Sequence, residues 1–177
     1  QEYSSISNHP FSDFQKNKIV FGEGNPDSPL LFLGEGPGAD EDRLGRPFVG
    51  RAGQLLDKII TAMGFARDQV YITNVVKCRL ENNRAPKPEE IEFEKKSILE
   101  MELAILHPKI ICTLGASATQ ALLGYQDPIS KMRGNFYQYQ ESLVLPTYHP
   151  AYLLRNPTAK KIVWTDMQKI MERLSEL

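Results

Sequence analysis

The sequence predicts an α/β protein of three layers, in which helices cover both faces of a central, mainly parallel sheet of four strands. Short apolar runs alternate along the chain with segments whose apolar residues recur at helical spacing. Glycine-rich or polar turns follow the apolar runs, as expected where a buried strand gives way to a crossover helix. The 177 residues contain no internal repeat and no long interior linker. We therefore expect a single domain over residues 1–177, with the polar residues 1–16 as a loose N-terminal arm.

The apolar runs define the strands, and the segments between them define the helices. The four strands are predicted at residues 30–33, 70–76, 110–114 and 143–146, with a further short edge strand at 18–21. Helices are predicted at residues 52–63, 88–106, 116–123 and 158–174. Gly64 is placed to cap the first of these helices, and Pro88 fits the first turn of the second.

Composition excludes several classes of protein. The net charge of −1 and a hydrophobic fraction of 41% are typical of a soluble globular chain, so a nucleic-acid surface would have to be local. No apolar run approaches the roughly 18 to 20 residues of a membrane span. Cys78 and Cys112 do not form a disulfide framework, which favours a reducing compartment. We expect a cytoplasmic monomer with no membrane association.

Residues 30–50 contain the most informative turn. An apolar strand ends in Gly34, Glu35, Gly36, Pro37 and Gly38, so the backbone can bend sharply and approach a ligand closely. No Lys-Ser or Lys-Thr pair follows, which excludes a P-loop. The glycines match the dinucleotide fingerprint weakly, but the proline and the acids at positions 40–42 are unsuited to a pyrophosphate. Two interpretations remain: a tight turn with a solvated acidic rim, or a pocket for a neutral planar ligand.

Two other strand ends carry polar side chains. Asn74 ends the second predicted strand, and His149 follows the fourth. Because the carboxyl ends of parallel strands share one edge of a sheet, these residues should meet Glu35, Glu41 and Phe48 in one pocket. An amide can pair with the edge of a base, and an aromatic ring can stack on it. The alternatives are a turn-capping Asn74, a structural His149 and a core Phe48.

Basic residues lie near these same loops. Arg51 follows Phe48, Arg84 follows Asn74 and Arg155 follows His149. The wider set is Arg43, Arg46, Lys77, Arg79, Lys87, Lys131 and Arg133. A cationic rim around one pocket is what a phosphate backbone requires, although a solvated charged rim is the alternative. No cysteines and histidines occur together at metal-ligand spacing, so no metal site is predicted.

Three motifs resemble those of the thermostable-type, family-four uracil-DNA glycosylases. The first covers residues 34–53, the second residues 71–79 and the third residues 146–155, and the similarity is collinear over about residues 19 to 174. Three spaced motifs are far more specific than any one of them.

The resemblance implies roles for individual residues. Phe48 would stack on a flipped-out uracil, Asn74 would bind its Watson–Crick edge, and the backbone of Gly36, Pro37 and Gly38 would close over it. His149 would stabilise the departing uracil anion. Leu153 would wedge into the duplex, and Arg51, Arg84 and Arg155 would contact DNA. Glu41 is the candidate for polarising water, with Glu35 and Asp42 behind it.

The chain departs from the family in its cysteines. Such glycosylases usually hold a four-iron four-sulfur cluster through four cysteines. Here the corresponding positions are Cys78, Glu94 and about Ser7 and Pro10. Since one thiolate cannot hold such a cluster, we expect no cofactor, with the loop of residues 77–94 held by packing and hydrogen bonds.

The resemblance therefore implies a monofunctional uracil-DNA glycosylase acting on single- or double-stranded DNA. A glycosylase-like module that holds DNA or a partner without catalysis is the main alternative. The presence of Glu41, Phe48, Asn74 and His149 opposes it, since a decayed site should lose these residues first. A small-nucleotide-binding enzyme is a further alternative.

Overall fold

The structure is a computed structural model that describes residues 17–177, so the predicted arm at residues 1–16 lies outside the described residues. Within this part of the chain, six strands form one sheet in the order β1-β3-β2-β4-β6-β5. The strands are β1 (Glu23–Gly24), β2 (Leu30–Gly34), β3 (Tyr71–Asn74), β4 (Ile110–Leu114), β5 (Tyr137–Tyr139) and β6 (Ser142–Thr147).

The four predicted strands form the parallel centre of the sheet. Strand β2 pairs in parallel with β3 and β4, and β4 pairs in parallel with β6. The antiparallel strands β1 and β5 extend the two edges. The sequence did not predict β5, because its three residues are too few to display a pattern. The edge strand expected at residues 18–21 lies instead at β1, although the Val20 amide does donate to the carbonyl of Lys77 at 2.7 Å.

The helices connect successive strands on both faces. They are α1 (Ala39–Leu44), α2 (Arg51–Ala62), α3 (Pro88–Glu94), α4 (Glu100–Leu106), α5 (Ala116–Leu123), α6 (Ile129–Met132), α7 (Pro150–Arg155) and α8 (Lys160–Ser175). The helix predicted at residues 88–106 is divided by a π-helical segment, Lys95–Leu99. In the described part of the chain, no helix is long and apolar enough to cross a membrane.

Strand β2 separates two apolar cores, and all five of its residues are buried. Leu30 and Phe32 belong to a cluster with Leu56 of α2 and Met167 of α8. Residues 31 and 33 belong to the opposite cluster, which includes residues of α4 and α5. Side chains of a strand alternate between faces, so a strand covered on both sides is apolar throughout. The predicted three-layer α/β class, with its mainly parallel sheet, is therefore confirmed.

Candidate functional site

A cavity of about 620 Å³ lies at the carboxyl ends of the four parallel strands. This is the edge of an open α/β sheet at which ligands bind. Most of the residues predicted from the sequence line it: Glu35, Gly36, Pro37, Gly38, Glu41, Phe48, Asn74, Arg84, His149 and Arg155. Arg51 and Leu153 are not among the lining residues.

Asn74 presents an unpaired amide to this cavity. The residue is 1% exposed, yet neither Oδ1 nor Nδ2 has a hydrogen-bond partner among the described residues. A buried polar group without a partner costs about 1–3 kcal/mol, so such a group is normally satisfied. A Cβ on Gly34 would lie 2.4 Å from both Asn74 Oδ1 and Phe48 Cζ, so only glycine lets these groups meet. The amide is therefore available to a ligand that offers both a donor and an acceptor.

Phe48 forms the wall beside this amide. Its ring lies 5.8 Å from the ring of His149, at an interplanar angle of 31°. The backbone of Phe48 has a φ of 49°, in the left-handed region that bulky residues rarely adopt. Both aromatic rings line the cavity. A flat ligand that reached the Asn74 amide would therefore have a ring beside it.

His149 lies between β6 and α7 and caps the helix. Its Nδ1 accepts a hydrogen bond from the Ala151 amide at 3.0 Å. Nδ1 must therefore be unprotonated, so the neutral ring carries its hydrogen on Nε2. Burial and the charge of Arg155 together lower the pKa of His149 to about 4, although the charge of Glu41 opposes them. At neutral pH the ring is an uncharged hydrogen-bond donor.

Glu41 has a structural task as well as a position at the cavity. Its Oε1 accepts hydrogen bonds from the amides of Val49 and Gly50, both at 2.9 Å. The second oxygen, Oε2, lies on the side of Gly38, where a Cβ would approach it to 2.9 Å. Asp42, expected behind Glu41, instead accepts from the Lys18 amide through Oδ1 at 3.0 Å. Glu35 lines the cavity.

Charged residues behind the cavity were missed or misassigned from the sequence. Lys77, which the sequence placed in the cationic rim, is 1% exposed, and its Nζ donates to Glu102 Oε2 at 2.6 Å and to the Asn74 carbonyl at 2.7 Å. Burial lowers the pKa of Lys77, against the effect of Glu102. Arg133, also expected in the rim, pairs with the buried Asp166. Sequence offers no signal for such pairs, since a lysine or arginine near a loop is usually exposed.

The residues predicted to contact DNA differ in how exposed their side chains are. Leu153 does not fit a wedge, because it is 1% exposed and packs in the apolar core. Its neighbours Tyr152 and Leu154 are each 37% exposed. The guanidinium of Arg84 makes two hydrogen bonds to Glu90, at 2.8 and 2.7 Å, so it is engaged within the protein.

Arg51 and Arg155 remain exposed at the surface. Of the four side chains expected to meet DNA, these two arginines are the most exposed, whereas the Arg84 side chain is 33% exposed and Leu153 is buried.

This combination defines a class of protein: an α/β fold whose strand-end cavity holds an aromatic ring, an unpaired amide and a neutral imidazole. The family described as the uracil DNA glycosylase superfamily matches residues 21–169. The chain belongs to this superfamily.

Named relatives are similar over most of their length. A Type-4 uracil-DNA glycosylase of Thermotoga maritima is 45% identical over 158 residues, which cover 87% of this chain and 82% of the relative. The Type-4 uracil-DNA glycosylase of Sulfurisphaera tokodaii is 45% identical over 89% of this chain and 75% of its own. That of Saccharolobus solfataricus is 42% identical over 92% and 78%. The resemblance inferred from the three motifs is confirmed.

The same relatives correct one prediction. We expected no iron–sulfur cluster. The comparisons show that this expectation is wrong, because the relatives are named Type-4 uracil-DNA glycosylases, the family in which the resemblance implies a cluster.

The ligand positions nevertheless depart from four cysteines. Cys78 is buried, and burial, together with the charges of Glu94 and Asp42, raises the pKa of its thiol to about 12. Glu94 accepts a hydrogen bond from the Lys77 amide at 3.1 Å. Within residues 17–177, no group of three or more His, Cys, Asp or Glu side chains is placed to hold a metal ion. The two cysteines of the chain cannot supply four thiolates, so these residues do not fit the usual ligand set of such a cluster.

Proposed function

We propose that this protein is a uracil-DNA glycosylase, which hydrolyses the N-glycosidic bond of uracil in DNA and leaves an abasic site. The observation that carries the proposal is Asn74, whose buried amide has no partner within the described residues. One edge of uracil offers a carbonyl oxygen on each side of an N–H group. A planar amide can match a carbonyl and the N–H together, donating through Nδ2 and accepting through Oδ1.

Base binding is the first step of the proposed reaction. The base must leave the helix to reach the cavity, and unstacking costs a few kcal/mol. Stacking on Phe48 would offset part of this cost, since base–aromatic stacking contributes about 1–3 kcal/mol. The turn formed by Glu35, Gly36, Pro37 and Gly38 lines the cavity and would cover the base with backbone atoms.

His149 would act on the leaving group. As the bond between the base and the sugar breaks, its electrons pass to uracil and negative charge develops on the carbonyl oxygens. The N-cap contact leaves Nε2–H as the donor of the imidazole, and the lowered pKa keeps the ring neutral. A positioned donor of this kind stabilises the charge most in the transition state, where removing it typically costs about 10²- to 10³-fold in rate.

Glu41 would orient the attacking water. Its Oε1 is occupied by two backbone amides, which fixes the carboxylate, and Oε2 remains as an acceptor. A water held there would add to the electron-poor sugar carbon and pass its proton to the carboxylate. Glu35, which also lines the cavity, would support the positive charge on the sugar.

The contact with DNA would use the exposed residues around the cavity. Arg51 and Arg155 are suited to phosphates, and the exposed Tyr152 and Leu154 would offer apolar surface to the DNA beside the flipped base. The proposal includes both single- and double-stranded substrates, a single domain, a monomer and a cytoplasmic location.

Incubation with a uracil-containing oligonucleotide, followed by alkali, tests the proposal. We expect strand breakage at uracil with the wild-type protein and none with an oligonucleotide that contains thymine. No breakage under any salt condition would contradict the proposed activity. Binding of the same oligonucleotide without breakage would instead indicate a module that holds DNA without catalysis.

A further inference from the structure

The turn that carries Phe48 is held in an unfavourable backbone conformation. Phe48 has a φ of 49°, where a side chain with a Cβ crowds its own carbonyl oxygen. Such a conformation persists only where the surrounding contacts enforce it. The ring that would stack on the base therefore depends on what holds residues 47–50.

Arg67 is the residue that holds the carbonyl groups of this turn. Its Nη1 donates to the Phe48 carbonyl at 2.9 Å, and its Nη2 donates to the Pro47 carbonyl. Arg67 lies outside the cavity lining, in a 3₁₀ turn (Arg67–Gln69) just before β3. It therefore reaches the site only through the backbone of Phe48 and Pro47.

Two carboxylates fix the guanidinium. Glu23 Oε1 accepts from Nε at 3.0 Å and from Nη2 at 2.8 Å, and Asp57 Oδ1 accepts from Nη1 at 2.7 Å. The planar guanidinium thus bonds two carbonyls and two carboxylates at once, a geometry that an ammonium group cannot match. Glu23 remains charged in this setting: burial opposes ionisation, but the guanidiniums of Arg46 and Arg67 outweigh it and lower the pKa of Glu23.

The amide groups of the same turn are held from the other side. Glu41 accepts from the amides of Val49 and Gly50, immediately after Phe48. Helix α2 packs directly against the turn, since a Cβ on Gly53 would lie 2.0 Å from the Phe48 carbonyl carbon and oxygen. Arg67 therefore holds the carbonyl groups of the turn, and Glu41 holds its amide groups. We call these two sets of hydrogen bonds the clamp.

We propose that Arg67 is a positioning residue, which holds the Phe48 ring in the orientation needed to stack on the base. This inference rests on the proposed function, because that function supplies the base on which Phe48 would stack. The hydrogen bonds that connect Glu23 and Asp57 through Arg67 to the Phe48 carbonyl do not depend on the substrate. Arg67 lies outside the cavity lining and acts through the turn that carries Phe48.

Arg46 provides a matched control. It donates to Glu23 through Nε and Nη2, both at 2.9 Å, and shares that carboxylate with Arg67. Among the described residues, the hydrogen bonds of its guanidinium go to Glu23 and not to the carbonyls of the Phe48 turn. Arg46→Gln therefore removes a guanidinium from the same cluster and leaves the clamp intact.

Excision kinetics on the full-length protein test the proposal. We expect Arg67→Gln to lower kcat/KM for uracil excision by about 10- to 100-fold, the cost of a misplacement of about 1 Å. Because Arg46 also belongs to the cationic residues near the cavity, the variants are compared in addition at saturating DNA, where a lost phosphate contact has no effect and Arg46→Gln should stay within about threefold of wild type. Arg67→Lys, which keeps the charge, should fall between them and also serves if the glutamine variant folds poorly. Equal values for Arg67→Gln and Arg46→Gln, with both folded, would overturn the proposal.

A double-mutant cycle separates positioning from general stabilisation. If Arg67 acts through Phe48, then Arg67→Gln should change kcat/KM by less than about threefold in a Phe48→Ala background, since coupled residues are not additive. A full, additive loss in that background would show that Arg67 acts elsewhere.

Amide hydrogen exchange supplies a readout that needs no activity. Arg67→Gln should speed exchange at Val49 and Gly50, with Arg46→Gln unchanged and the amides of β4 protected in both. Unchanged exchange at residues 49 and 50 would overturn the inference about Arg67. Failure of the wild-type protein to excise uracil would instead reject the proposed function and leave this structural link standing.

Discussion

The two aromatic walls of the cavity, at Phe48 and at His149, are supported by different kinds of charge. Behind Phe48, Arg67 is 20% exposed on its side chain and pairs with carboxylates that are partly exposed. At Thr147, two residues before His149 at the end of β6, the hydroxyl donates to Asp166 Oδ2 at 2.7 Å, and Asp166 is fully buried against Arg133. The Phe48 wall is thus held near the surface, and the strand end that leads to His149 is held from within the core.

Because of this difference, we expect the charges near Phe48 to affect the position of its ring and the buried charges near Thr147 to affect the stability of the fold. A partly exposed ion pair contributes little to folding and is weakened by salt, so its main effect is local geometry. Breaking a buried pair leaves an uncompensated charge and destabilises the whole fold. Substitutions behind Phe48 should therefore reduce activity in a folded protein, and substitutions of the buried pair near Thr147 should unfold it.

The largest expected effect is on the buried side. Asp166→Ala should lower the free energy of unfolding by about 3 to 5 kcal/mol, because Arg133 and Thr147 lose their partner. Urea denaturation followed by circular dichroism measures this change. Glu176→Ala, which removes the exposed partner of Arg173, should change the same quantity by less than about 1 kcal/mol. An equal loss of unfolding free energy in the two variants would contradict the distinction between buried and exposed ion pairs.

Next in size is the effect of His149 itself. Replacing it with alanine should reduce the single-turnover rate of uracil excision by about 10²- to 10³-fold, because the donor to the leaving group is lost. The free energy of unfolding should fall by only about 1 kcal/mol, the usual cost of a lost helix cap. His107→Asn is the control, since His107 is exposed and asparagine tolerates its left-handed φ of 47°. Equal rates for the wild type and the His149 variant would remove the proposed role.

A third prediction concerns Asn74, which lines the same cavity as the two walls. Asn74→Ala should reduce kcat/KM for excision by about 10- to 100-fold, the value of one to two hydrogen bonds to the base. The free protein should be no less stable than wild type, because the substitution removes buried groups that have no partner within the described residues. Denaturation without DNA tests this, with Thr73→Ala as control, since the Thr73 hydroxyl is bonded to Glu102 and its loss should destabilise the fold. A clear loss of stability in the Asn74 variant would mean that its amide is paired in the free protein.

The effect that is smallest near neutral pH is the pH dependence of His149. Its pKa is about 4 in the folded protein and about 6.5 when unfolded, so the unfolded state binds more protons between these values. The free energy of unfolding should therefore fall as the pH drops from about 6.5 to about 4. A plot of this free energy against pH should be less steep for a His149→Asn variant. Excision should not lose activity through His149 between pH 8 and 5, since the ring stays neutral there. A wild-type rate that falls with an apparent pKa near 6.5, and a variant that lacks this fall, would contradict the assignment.

The sequence by itself was sufficient for the four parallel strands at the centre of the sheet and for the location of the cavity. Apolar runs at the four central strands and helical periodicity in the long helices report which faces are buried, a local property. Parallel strands end at one edge, so strand order along the chain was enough to place Asn74 and His149 beside the turn of residues 34–38. The short helices α1, α6 and α7 carry too few residues for a pattern and were not predicted.

What only the tertiary structure decided is which polar groups meet across the chain. Leu153 faces the core because α7 turns that face inward. Arg84 and Lys77, expected at the surface, are paired with carboxylates, and Arg67, which no motif marks, holds the Phe48 turn from 19 residues away. Periodicity reports whether a side chain is buried, but not which partner satisfies its charge, because that partner is brought into place by packing. The cavity could thus be located from the sequence, and the charges that hold its walls could not.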